Sequence, residues 1–173
     1  IAATNAWAAD DPNQSCLMCH EDPTLKNAAG HSLFVNQKRL EQSIHGKSGL
    51  SCVSCHADLE SVKDFPHAEK LSKVTCATCH DEAQRKFEAS VHHNARAGKE
   101  VEAVSCVSCH GAHEVVESSD VHSKTHPLNQ PETCGACHFN QVNSKKGEGF
   151  VKGFLESTHG LALSKTGLGN SAT

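Results

Sequence analysis

Apolar residues are thinly spread along this chain, and the periodicities they make are short. Between Asp81 and Val91 the residues Ala83, Phe87 and Val91 recur four apart, which predicts a helix with one apolar stripe. Three segments share a further layout: Leu40-Glu41-Gln42-Ser43-Ile44-His45-Gly46, Phe87-Glu88-Ala89-Ser90-Val91-His92-His93 and Phe154-Leu155-Glu156-Ser157-Thr158-His159-Gly160. Each has a large apolar residue five before a histidine, a serine two before it and a β-branched residue immediately before it. The layout predicts helix ends, with the glycines after His45 and His159 in a left-handed position just past the last turn. No stretch approaches the roughly 18–20 apolar residues of a membrane-spanning helix.

Composition deepens the problem of a core. Aromatic residues make up 4% of the 173 residues, tyrosine is absent, and the one tryptophan, Trp7, stands near the N-terminus, where no core is expected. A chain of this length normally buries most of its surface and needs large apolar side chains to do so. The cysteines show where the missing apolar mass comes from. All ten fall into five copies of Cys-x-x-Cys-His: Cys16 and Cys19 with His20, Cys52 and Cys55 with His56, Cys76 and Cys79 with His80, Cys106 and Cys109 with His110, Cys134 and Cys137 with His138. This pattern reads as c-type haem attachment, in which two thiols form thioethers to the porphyrin vinyls and the adjacent histidine meets the iron. Four-cysteine zinc sites need no histidine after each second cysteine, and a thioredoxin-like motif occurs once, within a βαβ pattern that is absent here. A disulfide framework would leave all five histidines unexplained. Five covalent haem c groups then supply the core.

The formal net charge of −4 is mild, and haem propionates would make it more negative. That argues against nucleic acid and for a soluble partner or a mineral. Because haem is ligated outside the cytoplasmic membrane, the chain is expected to be periplasmic or extracellular. Ala6-Trp7-Ala8 ahead of Ala9-Asp10-Asp11-Pro12 is similar to a small-x-small cleavage site with a polar mature start. Residues 1–8 therefore read either as a signal-peptide remnant or as an ordinary flexible N-terminus, and 9–173 as one pentahaem domain. The motifs begin at 16, 52, 76, 106 and 134, which leaves room for a helix and a loop between neighbours and for no long linker.

The remaining histidines bear on the iron's second axial position. Of fourteen, five are proximal within the motifs, and nine remain. The single methionine, Met18, lies inside the first motif and cannot reach across its own haem, which excludes methionine ligation. Bis-histidine coordination is expected throughout. His45, His92 and His159 come from the repeated segment. His113, three residues after His110, is too close to fold back on its own iron but can reach a neighbouring haem. His67 follows Pro66, which restrains the local backbone, and completes the set. His31, His93, His122 and His126 are reserves.

The chain resembles the periplasmic multihaem c-type cytochromes, the class III-like group of anaerobic and metal-reducing bacteria, over nearly its whole length. The resemblance is carried by the Ser-x-His-Gly elements around His45 and His159, the variant Ser90-Val91-His92-His93, the stretch Cys106 to His113 and Pro131 to His138. It implies close-packed covalent haems, bis-histidine ligation and anaerobic electron transfer. The expected fold is mostly coil with short α-helices around five haems, and little or no β-sheet. His93 departs from the pattern by replacing glycine, so that His92 and His93 compete for one iron. The second and fourth motifs share Ser-Cys-Val-Ser-Cys-His, which suggests an ancestral two-haem unit. His45 precedes Cys52 by 7 residues and His92 precedes Cys106 by 14; equal spacing after His159 places a further cysteine near 173, so the chain is expected to be the N-terminal part of a longer one.

Three roles fit these residues. The first is an electron carrier, not an enzyme, exchanging electrons with a quinol-linked membrane complex, other cytochromes or an extracellular metal acceptor. The second is a haem enzyme reducing an oxyanion such as nitrite or tetrathionate, for which no Cys-x-x-Cys-Lys variant speaks. The third is a subunit of a membrane quinol-oxidising complex, a homo-oligomer or a conductive filament. Alanine at His45, His92 or His159 should open an iron and add a high-spin feature to the optical spectrum. An unchanged low-spin spectrum in all three variants would remove this ligand assignment.

Overall fold

The computed structural model describes residues 11–94, 104–138 and 150–166, so residues 1–8 lie outside the described part. Ten short helices are present there: α1 Gln14–His20, α2 Gln37–Gln42, α3 Ile44–Lys47, α4 Cys52–Cys55, α5 Asp81–Glu88, α6 Val91–Asn94, α7 Cys106–His110, α8 Gln130–His138, α9 Phe150–Glu156 and α10 Thr158–Thr166. Tight 3-10 turns cover Ala57–Leu59 and Cys76–Thr78. The only β-type pairing among the described residues is an isolated bridge between Lys26 and Ser32. The fold is thus mostly coil and short helices, with no sheet among the described residues. The chain divides into two compact units, Ile1–Thr75 and Cys76–Thr173.

Helices this short are marginal on propensity alone, and side-chain caps hold several of them. The three Ser-x-His segments show the device most clearly. Ser43 Oγ donates to the Leu40 carbonyl (2.6 Å), closing α2, and accepts from Gly46 N–H (3.0 Å), opening α3. Ser157 repeats this between α9 and α10, with 2.6 Å to the Phe154 carbonyl and 3.1 Å from Gly160 N–H. Ser90 does so between α5 and α6, with 2.6 Å to the Phe87 carbonyl and 3.4 Å from His93 N–H. One hydroxyl therefore satisfies an orphan carbonyl of one helix and an orphan amide of the next. Ser43 is almost wholly buried.

This corrects the expectation of left-handed glycines past a helix end. The helix ends at the serine, and the histidine is the second residue of a new helix. Gly46 and Gly160 lie inside α3 and α10 and are absent from the positive-φ glycines, which are Gly30, Gly49 and Gly111. Their reason is space. A Cβ on Gly46 would land on the Leu40 carbonyl oxygen and 2.9 Å from Glu41 Cα; one on Gly160 would meet the Phe154 carbonyl oxygen and lie 2.8 Å from Leu155 Cα. Where His93 stands instead, the serine bond is the longest of the three, as expected of a junction that must admit a Cβ. The apolar stripe is also shorter than its spacing suggested. α5 stops at Glu88, and Val91 begins a new helix with 77% of its surface exposed.

The polypeptide buries few apolar side chains. Among the described residues, the buried apolar side chains are Leu17 on α1 in the first unit and Val151 on α9 and Leu163 on α10 in the second. Met18, Val91, Val107 and Val121 are largely exposed.

Two glycines on neighbouring helices should respond with opposite sign. Gly160→Ala forces α9 and α10 apart and should cost about 1–3 kcal/mol as an overpacking change. Gly153→Ala, where a Cβ meets nothing within 4 Å, should be neutral or stabilising by up to about 1 kcal/mol through helix propensity. Guanidinium denaturation of the holoprotein followed by circular dichroism checks both.

Candidate haem sites

Every Cys-x-x-Cys-His motif lies in a helical turn. The first is in α1, the second in α4, the third in the turn Cys76–Thr78, the fourth in α7 and the fifth at the end of α8. Residues three apart on such a turn share a face, so each pair of thiols points the same way. Local sequence enforces the turn: Ser51 N–H donates to Ser54 Oγ and Ser105 N–H to Ser108 Oγ, both at 3.1 Å, as the reciprocal half of a capping box. The fifth motif is set by a tied loop, in which Asn129 Nδ2 donates to the carbonyls of Val121 (2.7 Å) and Ser123 (2.8 Å), and Thr133 Oγ1 to that of Lys124 (2.7 Å).

Motifs converge within each unit. Asn13, immediately ahead of α1, accepts from Cys52 N–H at 2.8 Å across 39 residues of chain. The Cys16 and Cys52 thiols are hydrogen-bonding neighbours. Burial first, and the Cys16 thiol second, push the Cys52 thiol up to about 11. In the second unit burial raises Cys109, helped by Cys134, Cys137 and Cys106 nearby. All ten cysteines are described, and none is disulfide-bonded.

The structure brings two pairs of the expected histidines together. His20 and His67 have ring centres 6.1 Å apart and planes 12° apart; His92 and His138 have centres 6.1 Å apart and planes at 64°. His20 Nδ1 lies 2.8 Å from the Leu33 carbonyl and His67 Nδ1 2.9 Å from the Ala68 carbonyl. A carbonyl only accepts, so Nδ1 is the donor in both rings and Nε2 is the nitrogen not engaged by that bond. The loop with His67 is fastened by Ser72 N–H donating to Asp58 Oδ2 at 2.7 Å, which lowers the Asp58 carboxyl below its ordinary value.

The other candidates are placed as follows. His45 and His56 are half-buried, while His80, His110, His113 and His159 are exposed, with His45 and His159 each second in their helix. Of the two neighbours on α6, His93 packs edge-on against Phe87 with ring centres 5.6 Å apart, and His92 stands against His138. Among the reserves, His122 Nδ1 faces Asp120 at 2.9 Å, His126 Nδ1 accepts from Leu128 N–H at 3.2 Å, and His31 is exposed. The anchoring groups Asn13, Leu33 O and Ala68 O escaped the sequence reading. Backbone acceptors leave no residue signal at all, and Asn13 shows only as a polar residue near a helix start.

These residues fit haem c. Paired thiols on one helical face suit two thioethers to one porphyrin edge, and imidazoles held through Nδ1, as in His20 and His67, suit an iron at Nε2. The exposed apolar side chains and the sparse buried set leave surface for a porphyrin to cover. A four-donor zinc site finds no counterpart: among the described residues no three His, Cys, Asp or Glu side chains gather at a metal-sized point.

Short helices, no sheet and repeated Cys-x-x-Cys-His turns together define a multihaem c-type cytochrome. The model of the cytochrome c3 family matches residues 44–147, more than half of the chain, and the chain belongs to that family. Haem c and electron transfer come with it. The matched span takes in four of the five motifs, while the first motif and His159 lie outside it. Comparison with curated proteins and with solved structures gave no match.

Gly111 turns the chain between His110 and His113 with φ +80° and ψ −172°, a region essentially reserved for glycine. Gly111→Ala should cost about 1–3 kcal/mol and disturb His113 more than α7. A lowered melting temperature of the holoprotein with its haem content intact is the expected result.

Proposed function

We propose that this chain is an electron-transfer wire with five haem c groups, one on each Cys-x-x-Cys-His turn, every iron held by two histidines. The reading rests above all on five helical motifs accompanied by nine further histidines and by no methionine able to ligate. Cys16, Cys19, Cys52, Cys55, Cys76, Cys79, Cys106, Cys109, Cys134 and Cys137 form the thioethers. His20, His56, His80, His110 and His138 are the proximal ligands, and His45, His67, His92, His113 and His159 the distal ones. Bound haem supplies a one-electron iron couple, and histidine on both faces keeps its potential low and leaves no position for a substrate.

The polypeptide's part is to hold and space these groups. Asn13 ties the first motif to the second, and the Cys16–Cys52 contact puts two attachment points side by side. Cys109 close to Cys134 and Cys137 does the same for the fourth and fifth. Close spacing favours rapid electron exchange without any moving part. The partners are redox proteins, namely a quinol-linked membrane complex or other cytochromes, or an extracellular metal acceptor, in anaerobic respiration. The place is the periplasm or beyond, which suits haem attachment outside the cytoplasm. Among the described residues no helix is long and apolar enough to cross a membrane.

A redox titration followed by optical and paramagnetic resonance spectroscopy tests the reading. The expected outcome is five haems per chain, all low-spin when oxidised, with no carbon monoxide bound on reduction. Fewer haems, or an iron that takes up carbon monoxide, would overturn it.

A further inference from the structure

The geometry points to two specific axial pairs: His67 opposite His20 on the haem of the first motif, and His92 opposite His138 on the haem of the fifth. The inference rests on the bis-histidine reading above and names who pairs with whom. An imidazole–metal bond is about 2 Å. A five-membered ring with bonds of about 1.33 Å puts its centre about 1.1 Å from each nitrogen, so two imidazoles trans on one metal have centres about 6.3 Å apart. Both pairs stand at 6.1 Å.

Direct contact between aromatic rings also spans about 4.5–7 Å, so distance alone does not choose. The nitrogens do. In the first pair both Nδ1 protons are committed, to the Leu33 and Ala68 carbonyls. With Nδ1 of each ring engaged by a backbone carbonyl, Nε2 is the nitrogen each ring has left to offer a metal. The carbonyl bonds also orient each ring, as outer partners of metal-bound histidine do. In the second pair, His138 is the histidine of an attachment motif, and His92 reaches it from α6 while His93 is occupied with Phe87.

The ring planes give each pair its own signature. Parallel imidazoles reinforce each other in splitting the iron d-orbitals and give a fully resolved rhombic resonance. Rings nearer perpendicular cancel, which leaves those orbitals almost degenerate and gives one strongly shifted feature. Planes 12° apart assign the rhombic type to the first haem, and planes at 64° assign the shifted type to the fifth.

The test uses the holoprotein. His67→Ala should replace the rhombic component of about one haem in five by a high-spin signal, and His92→Ala should do the same to a strongly shifted component. A Cys16→Ser/Cys19→Ser variant lacks the first haem, and adding His67→Ala to it should create no further high-spin iron. A new high-spin iron in that background overturns the first pairing; the parallel experiment with Cys134→Ser/Cys137→Ser and His92→Ala judges the second. If a cysteine variant fails to accumulate, His67→Met and His92→Met in the full protein decide by which component disappears, and loss of the other component or of none overturns the assignment. High-spin iron in the unaltered protein would instead count against bis-histidine ligation as a whole.

Discussion

Ordering a backbone costs on the order of 1–2 kcal/mol per residue, and burial of apolar side chains is the main term that offsets it. In this chain that term is small: Leu17, Val151 and Leu163 are the buried apolar residues among those described, while Met18, Val91, Val107 and Val121 lie open. Everything else in the structure follows from that shortage. The helices stay short because no wide apolar face exists for a long one to bury. Haem c, the cofactor of the family, is the apolar mass that such a scaffold is shaped to receive, and its attachment is covalent, so holding it does not depend on the core it helps to form.

A scaffold of this kind has to be held by local polar contacts. Ser43, Ser90 and Ser157 each join two helices with one hydroxyl, and Gly46 and Gly160 let the second helix start against the backbone of the first. The outcome is a sharp corner with a histidine as the second residue of the new helix, presented on a capped element and not on a loose end. Ser51 with Ser54 and Ser105 with Ser108 shape the attachment turns in the same manner. The two identical motif sequences therefore fold identically because their caps are part of the repeat.

Longer-range order is concentrated at a few points. Asn13 reaches Cys52, Asp58 reaches Ser72, and Asn129 gathers the loop ahead of α8. Each fixes part of a candidate haem site: the second Cys-x-x-Cys-His turn, the loop with His67, and the turn with Cys134, Cys137 and His138. The pairing of His20 with His67 shows how these contacts combine, since the Leu33 and Ala68 carbonyls set both rings while the Asp58 contact holds the loop.

The attachment motifs, the short-helix character and the repeated Ser-x-His layout were legible in the sequence because each is local chemistry within one or two helical turns. The purpose of Gly46 and Gly160 was misread, since a glycine before a polar residue looks the same whether it serves a left-handed backbone or a close approach. The stripe through Ala83, Phe87 and Val91 failed at Ser90, whose hydroxyl competes for the backbone and ends the helix. By itself the sequence determined the ten thiols and five adjacent histidines, because a thioether pair needs only two cysteines on one helical face. Which imidazole stands before which was decided by the tertiary structure alone: His67 meets His20, and His92 meets His138, across stretches of chain that no local pattern spans, through backbone carbonyls and loop contacts that carry no signature of their own.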